Sequence, residues 1–289
     1  MTPFDFSPAA IAALAQSDAA RALQEDVGSG DLTAALVDPA AQARARVLLR
    51  ERAVLCGQAW ASAALHALAP QARLDWKLAE GAWGEPNQVV VELHGPAQAL
   101  LSAERTMLNF LQMMSGVATH CAQFVAVVQA VPGNRAQIVD TRKTLPGLRL
   151  AQKYAVRTGG GTNHRIGLFD AVLIKENHIA AAGGVSAALA SAQAVAAQAQ
   201  FVEIEVETLE QLREALQAGA RMVLLDNMTH AQLTEAVAIN AGRAVLEVSG
   251  GVTMDSVRAI AATGVDRISI GALTKDIRAT DFSMRLEQI

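Results

Sequence analysis

From residue 137 to residue 271 the chain repeats one unit, a short apolar strand followed by a turn and, in most repeats, a helix. The strand-like segments are QIVD (137–140), AVLIK (171–175), VEIEV (202–206), MVLLD (222–226), AVLEVS (244–249) and RISIG (267–271). Helical segments separate the later ones: VSAALASAQAVAAQAQ, LEQLREALQAGA, THAQLTEAVAIN and TMDSVRAIAATG. Strands buried on both faces read as apolar, β-branched runs, and helices between them make right-handed crossovers. The segment therefore predicts a parallel sheet covered by helices. Lys175, Glu205, Asp226, Ser249 and Gly271 fall at or near the C-terminal ends of five strands, 30, 21, 23 and 22 residues apart. A parallel α/β barrel brings such ends to one rim, where active sites lie. An open doubly wound sheet also gathers strand ends on one edge, so the period alone leaves both open.

The first hundred residues read differently. A helical segment at 8–25 precedes the polar turn DVGSGD (26–31). Strand-like stretches follow near 43–51, 72–79 and 88–95, with the helical GQAWASAALHAL after the first. This is a small α+β unit. A long helical region from about Ala97 to Val131 comes next, and Ser115-Gly116 predicts a break in it and a domain boundary there.

Composition narrows the classes. Hydrophobic residues make up 52% of the chain and charged residues 18%, which excludes disorder and supplies a core. Cys56 and Cys121 form no CxxC, so neither a disulfide framework nor a zinc site is expected. A net charge of −4 argues against nucleic acid as a partner. The first residues lack the basic and apolar regions of a secretory signal, and apolar runs stop short of the ~20 residues that span a bilayer. A cytoplasmic protein with no membrane partner is expected.

Against that negative total, eight basic residues and two acids lie between Arg135 and Lys175. A charge run is often a solvated helix face, but this one includes a GGG turn and two strand-like ends. With Arg105 added, it yields a cationic group of Arg105, Arg142, Lys143, His164, Arg165 and Lys175. Arginine pairs bidentately with carboxylate or phosphate and lysine acts as a point charge, so such a group calls for a polyanion. Glu205 and Asp226, at successive strand ends, suit Mg²⁺, which takes oxygen ligands and keeps waters. They could equally cap helix N-termini. SGG (249–251) and IGA (270–272) follow late strands, where glycine turns expose backbone N–H groups to phosphate. Neither GxGxxG nor a P-loop occurs, nor a serine–histidine–aspartate arrangement.

The segments EDVGSGDLT (25–33), ERTMLNFLQMMSGVAT (104–119), DTRKTLPGLRLAQKYAVRTGGGTNHRIGLFDAVLIKENHI (140–179), VEIEVET (202–208), LLDNM (224–228) and LEVSGG (246–251) resemble the quinolinate phosphoribosyltransferases. The resemblance implies a small N-terminal α/β sandwich domain (1–114), an open α/β barrel (115–274) and a C-terminal segment (275–289) returning to the first domain. It implies a homodimer with Arg105 supplied in trans, Mg²⁺ as cofactor, and quinolinate and phosphoribosyl pyrophosphate as substrates. Quinolinate would be bound by Arg105, Arg142, His164, Arg165 and Lys175. Lys143, Lys175, Glu205 and Asp226 would handle phosphoribosyl pyrophosphate and the metal. Ser249, Gly250 and Gly271 would take the 5′-phosphate. The competing readings are a transferase for another aromatic carboxylate and an anion-binding barrel without turnover. Paired acids count against the second, because an anion-binding protein has no use for them.

Overall fold

The computed structural model describes residues 4–288. In chain order the elements are α1 (Pro8–Asp26), β1 (Gln42–Leu49), β2 (Ala53–Val54), α2 (Gln58–Leu68), β3 (Arg73–Trp76), β4 (Trp83–Gly84), β5 (Val89–Pro96) and α3 (Ala97–Gln129). They continue with β6 (Gln137–Val139), α4 (Arg149–Thr158), β7 (Val172–Ile174), α5 (Glu176–Ala182), α6 (Val185–Ala196), β8 (Val202–Val206), α7 (Leu209–Gln217) and β9 (Met222–Asp226). The last are α8 (His230–Asn240), β10 (Val245–Ser249), α9 (Val257–Ala262), β11 (Arg267–Ser269), α10 (Ala272–Lys275) and β12 (Phe282–Gln288). The chain forms two compact units.

One unit comprises residues 5–122, 145–160 and 276–288. Its sheet is antiparallel in the order β12-β1-β5-β3, and β12 pairs with β1 from Ala43↔Gln288 to Leu49↔Phe282. Strand β1 alternates strictly at its start: Ala43, Ala45, Val47 and Leu49 are buried, while Gln42, Arg44 and Arg46 face solvent. The buried row joins Val91 and Leu93 of β5, Ala61 and Leu65 of α2, and Leu100, Met107 and Leu111 of α3 in one apolar core. Helix α1 packs on α2, where the buried Trp60 donates its indole N–H to Asp18 at 2.8 Å.

The expected break at Ser115-Gly116 is absent, because α3 runs unbroken for 33 residues. Both residues serve packing instead. Ser115 Oγ accepts from Cys56 N at 2.9 Å and donates to Cys56 O at 3.2 Å. A Cβ on Gly116 would collide with the backbone carbonyl of Arg278. A helix tolerates one glycine at a cost of about 1 kcal/mol, so close backbone approach is the better account of this residue. By length and composition α3 could cross a membrane, but half of the qualifying stretch is buried inside the protein, as in a core helix.

The other unit comprises Gln123–Thr144 and Gly161–Lys275. Its six strands are all parallel, in the order β6-β11-β10-β9-β8-β7. Successive strands are neighbours from β7 to β11, and the first strand lies beside the last. That order belongs to a barrel with one open seam, between β6 and β7; a doubly wound sheet would reverse direction at a switch point. The structure therefore selects the barrel. At the seam, Thr162 makes an isolated parallel bridge to Val139, with Thr162 N donating to Ile138 O at 2.8 Å. Helix α4 clusters with the antiparallel unit, although it lies in sequence between two barrel strands. The helix expected over TMDSVRAIAATG is shorter, covering only Val257–Ala262, because Thr253 and Ser256 bond each other in a turn ahead of it.

Candidate active site

The barrel strands deliver the expected residues to their C-terminal ends. Lys175 follows β7, Glu205 is the penultimate residue of β8, Asp226 and Ser249 close β9 and β10, and Gly271 follows β11 by two residues. The acids are not helix caps. Thr208 and Thr229 cap α7 and α8, each accepting from the N–H three residues on within a capping box. This leaves the Glu205 and Asp226 carboxylates to the rim.

Arg142, Lys143, Arg165 and Lys175 line a cavity of about 160 Å³ together with Glu205 and Ser249. Lys175 Nζ donates to Glu205 Oε2 at 2.8 Å. Burial and the neighbouring Arg142 cation both push the Arg165 pKa down, and Arg142 Nε is buried with no hydrogen-bond partner. Like charges held close, with an orphaned donor among them, are stabilised by an incoming anion. Burial pushes the Asp226 carboxyl up, while Lys175 and, less strongly, Lys143 pull it down. Asn227 Nδ2 donates to Asp226 Oδ2 at 2.7 Å. Gly250 follows Ser249 at φ +103°, and a Cβ there would collide with Asn227 Oδ1; only glycine fits this turn. Gly271 lies against Lys143, whose Cδ would stand 3.1 Å from an added Cβ.

His164 also lines the cavity, although it is only 8% exposed. Its backbone N–H donates to Asp140 Oδ1 at 2.8 Å, and Arg165 N–H donates to its Nδ1 at 2.7 Å. The ring proton therefore sits on Nε2, which donates to Glu203 Oε2 at 2.8 Å. Burial lifts the Glu203 carboxyl to about 7, with the Arg267 charge pulling the other way. Burial, then the Glu203 charge, pushes Glu247 up, and Arg267 Nε donates to Glu247 Oε2 at 2.7 Å. Sequence reasoning missed Asp140, Glu203, Glu247 and Arg267. The signal was there: V-E-I-E-V and V-L-E-V-S alternate polar residues along strands whose other face is apolar. In a barrel that polar face points inward.

The basic run does not gather at one place. Arg135 bonds Asp266 and the Gly264 carbonyl beside the N-terminal end of β6. Arg149, Lys153 and Arg157 lie on α4 in the antiparallel unit, Lys153 fully buried and Arg157 4.8 Å from the Phe6 ring. Arg105 is exposed on α3 in that same unit.

An open α/β barrel with four cations, two rim acids and glycine turns at its strand ends defines an enzyme for polyanionic, phosphorylated substrates. The sequence matches the family models for the N-terminal domain of quinolinate phosphoribosyl transferase at residues 31–115 and for its C-terminal domain at residues 117–285. The chain belongs to the quinolinate phosphoribosyltransferase family. It is 42% identical to the nicotinate-nucleotide pyrophosphorylase [carboxylating] of Mycobacterium leprae, over 92% of this chain and 95% of that one. It is 39% identical to the probable enzyme of that name from Bacillus subtilis, over 90% and 89%. The solved nicotinate-nucleotide pyrophosphorylase of Francisella tularensis superposes with a TM-score of 0.92 at 41% identity, covering 99% of this chain and all of that one.

Proposed function

We propose that the rim residues divide between the two substrates of the family's reaction. The enzyme is a pentosyltransferase of NAD biosynthesis. It joins quinolinate to phosphoribosyl pyrophosphate, giving nicotinate mononucleotide, pyrophosphate and CO₂. Arg142, Arg165 and Lys175 bind the dicarboxylate, and His164 forms the pocket wall beside them. Lys143, Lys175, Glu205 and Asp226 hold phosphoribosyl pyrophosphate, and Ser249, Gly250 and Gly271 receive its 5′-phosphate. The observation that carries this reading is the convergence of four cations and Glu205 on one small cavity at the strand ends.

Glu205 and Asp226 offer only carboxylate oxygens on adjacent strands, which fits Mg²⁺ held directly or through water. When bound, the ion neutralises charge on the pyrophosphate. The chain's own groups do the rest. Lys143 and Lys175 face the departing pyrophosphate, and Glu205 and Asp226 face the positive charge that develops on the ribose. Preorganised charge of this kind is commonly the largest catalytic contribution, about 3–4 kcal/mol for one well-placed group. The arginines aim the ring nitrogen at C1. Once alkylated, the ring stabilises a carbanion at C2, so the 2-carboxylate leaves as CO₂ and C2 takes up a proton from the medium.

The active enzyme is a homodimer in the cytoplasm, with the exposed Arg105 completing the partner's quinolinate site. Mixing Arg105→Ala chains with Lys143→Ala chains should restore activity through hybrid sites; inactive hybrids after confirmed subunit exchange would refute the trans role. For the reaction itself, CO₂ released from quinolinate should match nicotinate mononucleotide formed. Nicotinate, with one carboxylate, should turn over orders of magnitude more slowly, since it leaves part of the half-buried cationic pocket unpaired. Equal kcat/KM for the two acids would point to a different transferase.

A further inference from the structure

Below the rim the barrel interior carries a second polar layer that the reaction scheme does not use. Glu203 and Glu247 lie two residues before Glu205 and Ser249, on the same face of β8 and β10, and neither has any exposed surface. One oxygen of each is bonded, Glu203 Oε2 by His164 and Glu247 Oε2 by Arg267. Glu203 Oε1 and Glu247 Oε1 have no hydrogen-bond partner, and Glu247 Oε1 lies 3.5 Å from His164 Nε2. His164, Glu203 and Glu247 bring their ligand atoms within 4.8 Å of one another, a spacing that a metal ion could use. An ion there would have to displace the Nε2 proton and share Glu247 with a guanidinium. The donors already present satisfy a different role.

We propose that Glu203 is a positioning residue for the dicarboxylate pocket. It holds His164 in one ring orientation and one tautomer, and through His164 it fixes the backbone from which Arg165 reaches the cavity. Residue 164 is held at its backbone N–H by Asp140, at Nδ1 by the Arg165 N–H, and at Nε2–H by Glu203. The ring also stands edge-on to Phe201, at 5.4 Å between centroids. The bond to Glu203 fixes where Nε2 points and so holds the ring against turning about its Cβ–Cγ bond. A ring that turns gives up the Arg165 N–H bond as well, since Nδ1 moves with it. Glu247 and Arg267 form an ion pair at 2.7 Å beside Glu203 in the same inner layer. Orientation of a binding group by a buried partner one layer back is a general device of preorganised sites.

This inference rests on the reading that Arg142 and Arg165 bind the acid, and the experiment separates the two. Steady-state KM for quinolinate and for phosphoribosyl pyrophosphate is measured on the full-length enzyme with Glu203→Leu, Glu203→Gln and Arg165→Ala. Glu203→Leu strands a buried N–H, so the quinolinate KM should rise about tenfold while the KM for the other substrate moves less than about twofold. Glu203→Gln keeps an acceptor for Nε2–H and should stay within about threefold of wild type. Equal shifts in both KM values with Leu, no shift at all, or a Gln variant as poor as Leu would overturn the positioning role. If Arg165→Ala leaves the quinolinate KM unchanged, it is the pocket assignment that falls. Should Glu203→Leu fail to fold, the nitrogen-15 histidine spectrum of the wild-type enzyme decides, with His164 assigned by its loss in His164→Gln. A proton on Nε2 is expected, and a proton on Nδ1 would refute the proposal.

Discussion

Strands β1 and β8 obey the same period of two in opposite senses. In β1 the alternate residues Ala43, Ala45, Val47 and Leu49 turn inward to an apolar core, and Arg44 and Arg46 turn to solvent. In β8 the alternate residues Glu203 and Glu205 turn into the barrel, with Ile204 buried on the other face. The antiparallel sheet spends its pattern on stability. The barrel places ionisable groups inside, where desolvation makes each of them costly alone and strong toward a ligand. One region should therefore answer to mutation in melting temperature, the other in kinetics.

The largest effect should come from the rim acids. On the proposed division of the rim, in which these groups act where charge develops, Glu205→Ala or Asp226→Ala should lower kcat by about 10²–10³-fold with little change in the quinolinate KM. Removal of divalent metal with EDTA should stop turnover, and Mg²⁺ should restore it; an unchanged rate would eliminate the metal.

Arg142→Ala sharpens the contrast further. Its guanidinium Nε is buried without a partner in the free enzyme, so the substitution relieves an unsatisfied donor. The quinolinate kcat/KM should fall about 100-fold while the melting temperature holds or rises, the trade expected of a strained binding group. A large loss of stability would place Arg142 among structural residues.

In the antiparallel unit the expectation reverses. Leu93→Ala, at a fully buried core position, should cost about 2–5 kcal/mol in denaturant unfolding and leave both KM values alone. Arg46→Ala should do least. Its contacts to Glu92 and Glu287 are exposed pairs at 3.4 Å, worth under about 1 kcal/mol. If Arg46→Ala matched Leu93→Ala in stability, the outward face of β1 would have a role beyond solvation.

The sequence by itself determined the strand–helix repeat and the strand-end positions of the five rim residues, because periodicity and strand-end position are local properties of the chain. It also carried the inner polar layer, written in the alternation of VEIEV. Reading that layer required knowing which face was inside. Only tertiary structure decided that the sheet closes toward a barrel, since β6 beside β11 is a contact between residues 130 apart, as Gln137 and Arg267 show. Only tertiary structure assigned Arg149, Lys153 and Arg157 to the antiparallel unit and Arg135 to the end of β6 away from the rim, because nearness in sequence does not fix where a side chain points. Ser115-Gly116 misled for the same reason. Glycine's helix cost is local and small, but the Arg278 carbonyl that requires glycine there comes from the far end of the chain. What depends on neighbours along the chain can be read from it. What depends on neighbours across the fold is set by burial and close packing, which appear only when the chain is folded.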